Sequence, residues 1–197
     1  ASATASTTYD VANSCRFNSG DSASMSKTQG TPTNNKIWTY SFWIKGNNPT
    51  GVLLNTGSDG SYISFRASDA SPAPSGLSIE QYVSGWQYQL IPNMSFRDPS
   101  AFYHIVLATD TTQGTEANRM KLYVNGTQVT SFATETYPAQ DLDTQINSAV
   151  AHKIGGHASS GFLSGYLAEV VFIDGTQYAA SDFGEFDEDS PTIWKPK

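Results

Sequence analysis

Period two dominates this chain. From Ile37 to Lys45 (IWTYSFWIK), Trp38, Tyr40, Phe42 and Ile44 alternate with Thr39, Ser41, Trp43 and Lys45, the pattern of a strand with one face turned to a core. Similar runs cover Tyr62–Arg66, Leu77–Val83 and Trp86–Ile91, separated by Gly, Ser, Pro and Asp clusters. Phe102–Asp110 (FYHIVLATD) is apolar on both faces and predicts a central strand covered from two sides. Arg119–Asn125 points Met120, Leu122 and Val124 inward and Lys121 and Tyr123 outward. Asn125-Gly126 then supplies the positive φ angles of a type I′ turn, and Thr127–Phe132 returns as the partner strand. Ala151–Gly155 and Gly165–Ile173 complete the set, with Asp174-Gly175 as a further turn. Pro99-Ser100-Ala101 and Ala179–Phe183 are each expected to form one helical turn; helical periodicity is otherwise nearly absent.

Many short strands and no long helix predict an all-β sandwich or barrel. Ser71-Pro72-Ala73-Pro74 is too short for a domain linker and reads as a loop, and no internal repeat is evident. Residues 13–197 are therefore expected to form a single β-sandwich domain, with a C-terminal tail at 181–197 and a flexible lead-in at 1–12.

Composition narrows the class. Of 197 residues, 38% are hydrophobic and 12% aromatic, enough for a core, whereas only 15% are charged, against roughly 25% in typical globular domains. The formal charge of −7 repels phosphate backbones, so no nucleic-acid partner is expected. No apolar run approaches the roughly 20 residues of a membrane helix; Leu167–Ile173 comes nearest and Glu169 interrupts it, so no membrane insertion is expected. Ala1–Thr8 is small and polar and does not read as a signal peptide. Cys15 is the sole cysteine, which leaves no intrachain disulfide and no cysteine zinc cluster; it is expected to be a small buried residue beside Phe17.

Candidate chemistry is sparse. His104 lies inside an apolar strand and is expected in the core, His152 at a strand surface or edge, and His157 on the glycine-rich turn 155–161, where it is the one histidine placed to meet a ligand. Gly20-Asp21-Ser22 has the look of an esterase nucleophile block, but no histidine has Asp three residues before it, so a polar turn is expected. Glu185-Phe186-Asp187-Glu188-Asp189 only partly fits a glucanase E-x-D-x-x-E, because Ser190 stands in place of the last Glu; a solvated acidic loop is expected instead. Among the loop carboxylates, which include Asp59 and Asp69, Asp110 at a strand end is the best single candidate for a calcium ligand, a turn cap being the alternative. Trp43, Tyr62, Tyr82, Trp86 and Tyr88 alternate with polar residues; Trp86 and Tyr88 are taken as the candidate ligand-binding aromatics, together with His157.

The segment Phe96–Leu107 (FRDPSAFYHIVL) resembles the "aW-h-v" strand of concanavalin A-like and laminin G-like jelly rolls. Arg119–Val129 (RMKLYVNGTQV) resembles their "klYvNG-v" hairpin, and His152–Gly155 with Phe162–Val170 resembles "-iG … f-G-laEv". These blocks imply an antiparallel jelly-roll β-sandwich of the concanavalin A-like lectin/glucanase type, in which Glu169 meets a backbone or Arg partner inside the sandwich. Phe172–Gly175, Ser181–Glu185 and Trp194–Lys197 are similar to a version common in structural proteins of tailed bacteriophages. That likeness implies a noncatalytic module of a tail fibre or virion surface, partnered by other virion proteins or cell-surface glycans and compatible with a homo-oligomer. The legume-lectin metal cluster and the galectin sugar motif are not found. A polysaccharide-active enzyme of related fold and a secreted bacterial adhesin are the alternatives.

Overall fold

The computed structural model describes residues 13–56, 60–65, 76–157 and 160–197. The expected lead-in at 1–12, the Ser71–Pro74 loop, Asp59, Arg66 and Asp69 lie outside the described residues.

In chain order the first strands are β1 (Cys15–Phe17), β2 (Met25–Thr28), β3 (Ile37–Thr56), β4 (Gly60–Phe65), β5 (Leu77–Tyr82) and β6 (Trp86–Pro92). Next come β7 (Tyr103–Asp110), β8 (Met120–Val124), β9 (Thr127–Gln128), β10 (Phe132–Thr136), β11 (Ala151–Ile154) and β12 (Ser164–Asp174). A terminal hairpin, β13 (Gly184–Phe186) with β14 (Trp194–Pro196), follows. All the pairings among the described strands are antiparallel, and they form two large sheets sharing β3. The first sheet runs β1-β12-β3-β7-β8-β9 and the second β2-β11-β3-β4-β5-β6-β10. The fold is the expected all-β jelly-roll sandwich.

β3 enters both sheets because it is twice the length its alternating pattern predicts. Its first part pairs with β7 and β12, and its last residues pair with β4 and β11. Gly51 marks the passage: its φ is +114°, and a Cβ there would lie 2.5 Å from the Phe162 carbonyl oxygen. Trp38, Tyr40, Phe42 and Ile44 face the second sheet, where Leu54, Ile63, Leu77, Ile79, Tyr88 and Leu90 meet them in one buried cluster. Asn125 and Gly126 take φ of 47° and 79°, as the hairpin requires. The Asn125 side chain also accepts from the His104 amide at 2.8 Å, tying that turn to β7.

A third layer lies on the outer face of the first sheet. Gln177 Nε2 donates to the carbonyls of Ala108 and Asn118, the turn Ala180–Asp182 follows as expected, and the β13–β14 hairpin lays Trp194 against His104. This cover explains why β7 is apolar on both faces, and why Trp43, on the polar face of its strand, is only 7% exposed.

Several expectations need correction. The acidic stretch is not wholly a solvated loop: Glu185 lies in β13, and Lys195 holds Asp187 at 3.2 Å and Glu185 at 3.8 Å. Cys15 is exposed, because β1 is an edge strand whose alternation turns Phe17 inward after the exposed Arg16. His152 is buried rather than at the surface, since β11 sits between β2 and β3. Glu169 is exposed at a bulge with φ of 47°, not inside the sandwich. Pro99–Ala101 forms bends rather than a helical turn; the α-helical turn among the described residues is Glu116–Arg119. Gly20-Asp21-Ser22 is the expected polar turn, capped by Asn18 Oδ1, which accepts from the Gly20 amide at 3.2 Å.

Candidate functional site

The β5–β6 hairpin decides which aromatic residues reach solvent. Along β6, Trp86 and Tyr88 are two residues apart and would share a face in a regular strand. They do not. Tyr88 pairs with Gln81 and Trp86 pairs with Tyr82, so β6 spends two steps where β5 spends one, and Gln87 is the extra residue of a bulge. The bulge reverses the alternation. Tyr88 points into the core and is 0% exposed, whereas Trp86 joins Tyr82 on the outer face of the second sheet, each 49% exposed. Tyr88 is thereby corrected from ligand contact to core residue.

Tyr82 and Trp86 form an edge-on pair with ring centroids 5.1 Å apart at 79°. The turn beneath them is braced. Ser84 has φ of 53° and Gly85 151°; the Val83 amide donates to the Gly85 carbonyl at 2.9 Å, and Gln87 Nε2 donates to the carbonyls of Val83 and Gly85. The extra residue therefore also supplies the amide that locks the loop. Below the pair, a row across the outer face runs Asn55, Tyr62, Glu80, Gln89 and Thr136. Gln89 Nε2 donates to Glu80 Oε1 at 3.0 Å, and Glu80 is buried. Half-exposed aromatic rings beside amides and hydroxyls suit a ligand with both C–H surfaces and hydroxyl groups.

His157 is not part of this group. Its amide and carbonyl close a tight turn with Ser160 (2.9 and 2.7 Å), and the neighbouring Gly161 carbonyl accepts from the Val52 amide. Val52 belongs to the row Val52–Ser64–Ser78, four residues along β5 from Tyr82. Asp110 behaves as a turn cap. Its Oδ1 accepts from the Thr112 amide and hydroxyl (3.0 and 2.6 Å) and its Oδ2 from Gln113 Nε2 at 2.6 Å. Burial works to raise its pKa, but these bonds outweigh it and hold the carboxyl below its ordinary range. Among the described residues no three His, Cys, Asp or Glu side chains gather as a metal-binding group.

His104 is the expected core histidine. Trp194 Nε1 donates to its Nδ1 at 2.9 Å, which leaves the proton on Nε2, 2.9 Å from Ser41 Oγ. Trp43 stacks on the ring at 4.7 Å. Burial pushes its pKa down to about 4, so the ring is neutral at pH 7.

Sequence reasoning had named Tyr82 without selecting it. The signal that could have found it is Ser84-Gly85, a turn pair that fixes where strand pairing must resume and so raises the question of register.

A laminin G-like family model, described as the Concanavalin A-like lectin/glucanases superfamily, matches residues 17–180. No curated protein matches the chain. Among solved structures, domain 4 of the extracellular arabinanase AbnA from Geobacillus stearothermophilus, in complex with arabinotriose, is similar at a TM-score of 0.53 and 15% identity. The match covers 77% of this chain and 65% of that one. The heptameric SAP-like pentraxin of Limulus polyphemus gives 0.51 and 17%, over 76% of this chain and 68% of that one. A GH54 α-L-arabinofuranosidase gives 0.50 and 12%, over 82% and 37%. These similarities show a shared fold. No helix among the described residues is long and apolar enough to cross a membrane.

Proposed function

The chain belongs to the concanavalin A-like lectin/glucanase superfamily, and from that premise we propose that it is a noncatalytic recognition module binding neutral oligosaccharides through Tyr82 and Trp86. The observation that carries this reading is the pair itself: two large aromatic side chains, each half exposed, held on a hydrogen-bonded hairpin. A pre-set aromatic platform loses little conformational entropy when a sugar ring stacks on it. The polar row of Tyr62, Gln89 and Thr136 lies where hydroxyl groups of the next sugar unit would fall. A charge of −7 disfavours polyanionic glycans at low salt, so neutral chains fit better. The arabinotriose held by the arabinanase domain supplies the first ligand class to try.

The setting we propose is the surface of a bacteriophage virion or tail fibre, where many weak sites act together. It rests on the resemblance of Phe172–Gly175, Ser181–Glu185 and Trp194–Lys197 to phage versions of the domain. Titration with arabino- and xylo-oligosaccharides tests the site. Trp86→Ala should weaken binding roughly ten- to hundredfold, the scale of losing an aromatic anchor, with an unchanged melting temperature. Absence of glycan binding together with saturable attachment to virion particles would replace this reading with a purely structural one. Release of new reducing ends, abolished by Glu80→Gln, would instead make the domain an enzyme.

A further inference from the structure

In the polar row beneath the aromatic pair, one residue has a fixed hydrogen-bonding sign. Glu80 and Tyr82 are two residues apart on β5 and share its outer face, so the row through Glu80 and Gln89 lies about 7 Å along the strand from the rings. Gln89 stands in β6 between β5 and β10, paired with Glu80 on one side and Thr136 on the other. Its backbone is held from both sides, and its amide is held as well: Nε2 donates to Glu80 Oε1 at 3.0 Å.

A carboxylate oxygen accepts and does not donate, so the amide meets Glu80 only through its nitrogen. That contact decides what the other end presents. Glu80 is fully buried, whereas Gln89 is half-buried. Among the described residues no donor reaches Gln89 Oε1, and it is not one of the buried polar atoms that lack a partner. It is therefore an acceptor open to solvent, on the face that carries Tyr82 and Trp86. The neighbouring Thr136 has no such sign, since it is exposed and its hydroxyl turns either to give or to take a hydrogen bond.

We propose that Gln89 is the specificity-determining residue of the glycan site and Glu80 its positioning residue. Together they present a fixed acceptor, which selects a sugar unit with a free hydroxyl donating at this point, next to the unit stacked on Tyr82 and Trp86. The inference rests on glycan binding by that pair and adds to it the direction of one hydrogen bond. A ligand group that accepts without donating (an ether oxygen, a fluorine, a uronic carboxylate) is turned away, because two acceptors would face each other with the Glu80 carboxylate behind them.

Xylobiose and arabinobiose are the probes, each as the parent sugar and as its monodeoxy and monodeoxyfluoro derivatives, titrated into the full chain by calorimetry. Fluorine in place of a hydroxyl accepts weakly and cannot donate. At one hydroxyl position the deoxy and fluoro derivatives should lose equally, about three- to tenfold against the parent, the scale of one hydrogen bond. Gln89→Lys keeps a donor for Glu80 and removes the acceptor. It should weaken the parent by the same factor and erase the difference at that position alone. Gln89→Met, with neither group, should do the same and guards against a displaced lysine. In Glu80→Gln the side chain at 80 can donate as well as accept, which frees the Gln89 amide to turn; the fluoro derivative should then bind more tightly than the deoxy one. Trp86→Ala should weaken every derivative by one common factor. The inference is overturned, with glycan binding by Trp86 left standing, if no position shows the equal loss, if that loss survives in both Gln89 variants, or if Glu80→Gln leaves it unmoved. If neither parent sugar binds at millimolar concentration, or Trp86→Ala binds as tightly as the native chain, glycan recognition by the aromatic pair falls and this inference falls with it.

Discussion

Lowering the pH from 7 to 4 should weaken the fold through His104. Its neutral ring accepts from Trp194 Nε1 at Nδ1 and reaches Ser41 from Nε2, so a proton added at Nδ1 breaks the bond that seats the terminal hairpin. In the unfolded chain the group titrates at its ordinary value of 6.5; in the fold burial depresses it to about 4. Between these values the unfolded chain binds the proton first, so stability is complete above pH 6.5 and falls as the pH drops toward 4. A gap of about 2.5 units, at about 1.4 kcal/mol per unit, gives a full loss of roughly 3 to 4 kcal/mol, most of it reached by pH 4. His152, whose pKa burial also lowers, adds in the same direction. The depressed carboxylates Asp110 and Asp174 add theirs only below their ordinary value of 3.8. Urea unfolding at pH 7, 6, 5 and 4, on the native chain and on His104→Gln, isolates the contribution. The variant starts less stable, but its slope against pH should be shallower by about 1 kcal/mol per unit between pH 6 and 4. Parallel curves for the two proteins would refute the argument. Amide exchange in β13 and β14 should rise first on acidification.

Gly126 and Gly114 make a matched pair. A Cβ at Gly126 would fall 2.4 Å from the Trp194 ring at a φ of +79°, so Gly126→Ala should lose about 2 kcal/mol or more in urea unfolding. Gly114→Ala meets nothing within 4 Å and should be neutral or gain up to about 1 kcal/mol. Cys15, exposed on an edge strand, should react with a thiol reagent at the rate of a small free thiol without denaturant; protection until unfolding would show that it is covered.

Alternation along the chain was legible wherever one strand has one partner on each side and one face on the core. Ile37–Lys45 and Met120–Val124 behaved that way, and Asn125-Gly126 turned where its φ preference requires. Legibility failed where period two breaks. One extra residue, Gln87, sends Trp86 and Tyr88 to opposite faces, and one more at Glu169–Val170 turns a residue expected inside to the outside. A bulge leaves almost no trace in hydrophobicity, because it shifts register without changing composition. The terminal layer was hidden for another reason: Trp194 finds its place through His104, Gly126 and Gly184, each distant from it in sequence or across a turn.

That terminal layer bears on which surface can recognise a ligand. The family match ends at residue 180, and the hairpin that follows closes over the outer face of the first sheet, burying His104 and Val106 and most of Trp43. Ligand contact by those residues would require the hairpin to leave. The outer face of the second sheet instead keeps its aromatic pair half exposed at the end of a braced turn. Acid and glycan binding should therefore be separable. Mild acidification that loosens β13 and β14 should leave oligosaccharide affinity at Tyr82 and Trp86 unchanged until the sandwich itself melts, since both rings stand on the second sheet while the hairpin packs on the first. A loss of glycan affinity that tracks hairpin release would show that the ligand contacts the closed hairpin itself, and a gain would place it on the residues beneath; either result moves the site to the opposite face.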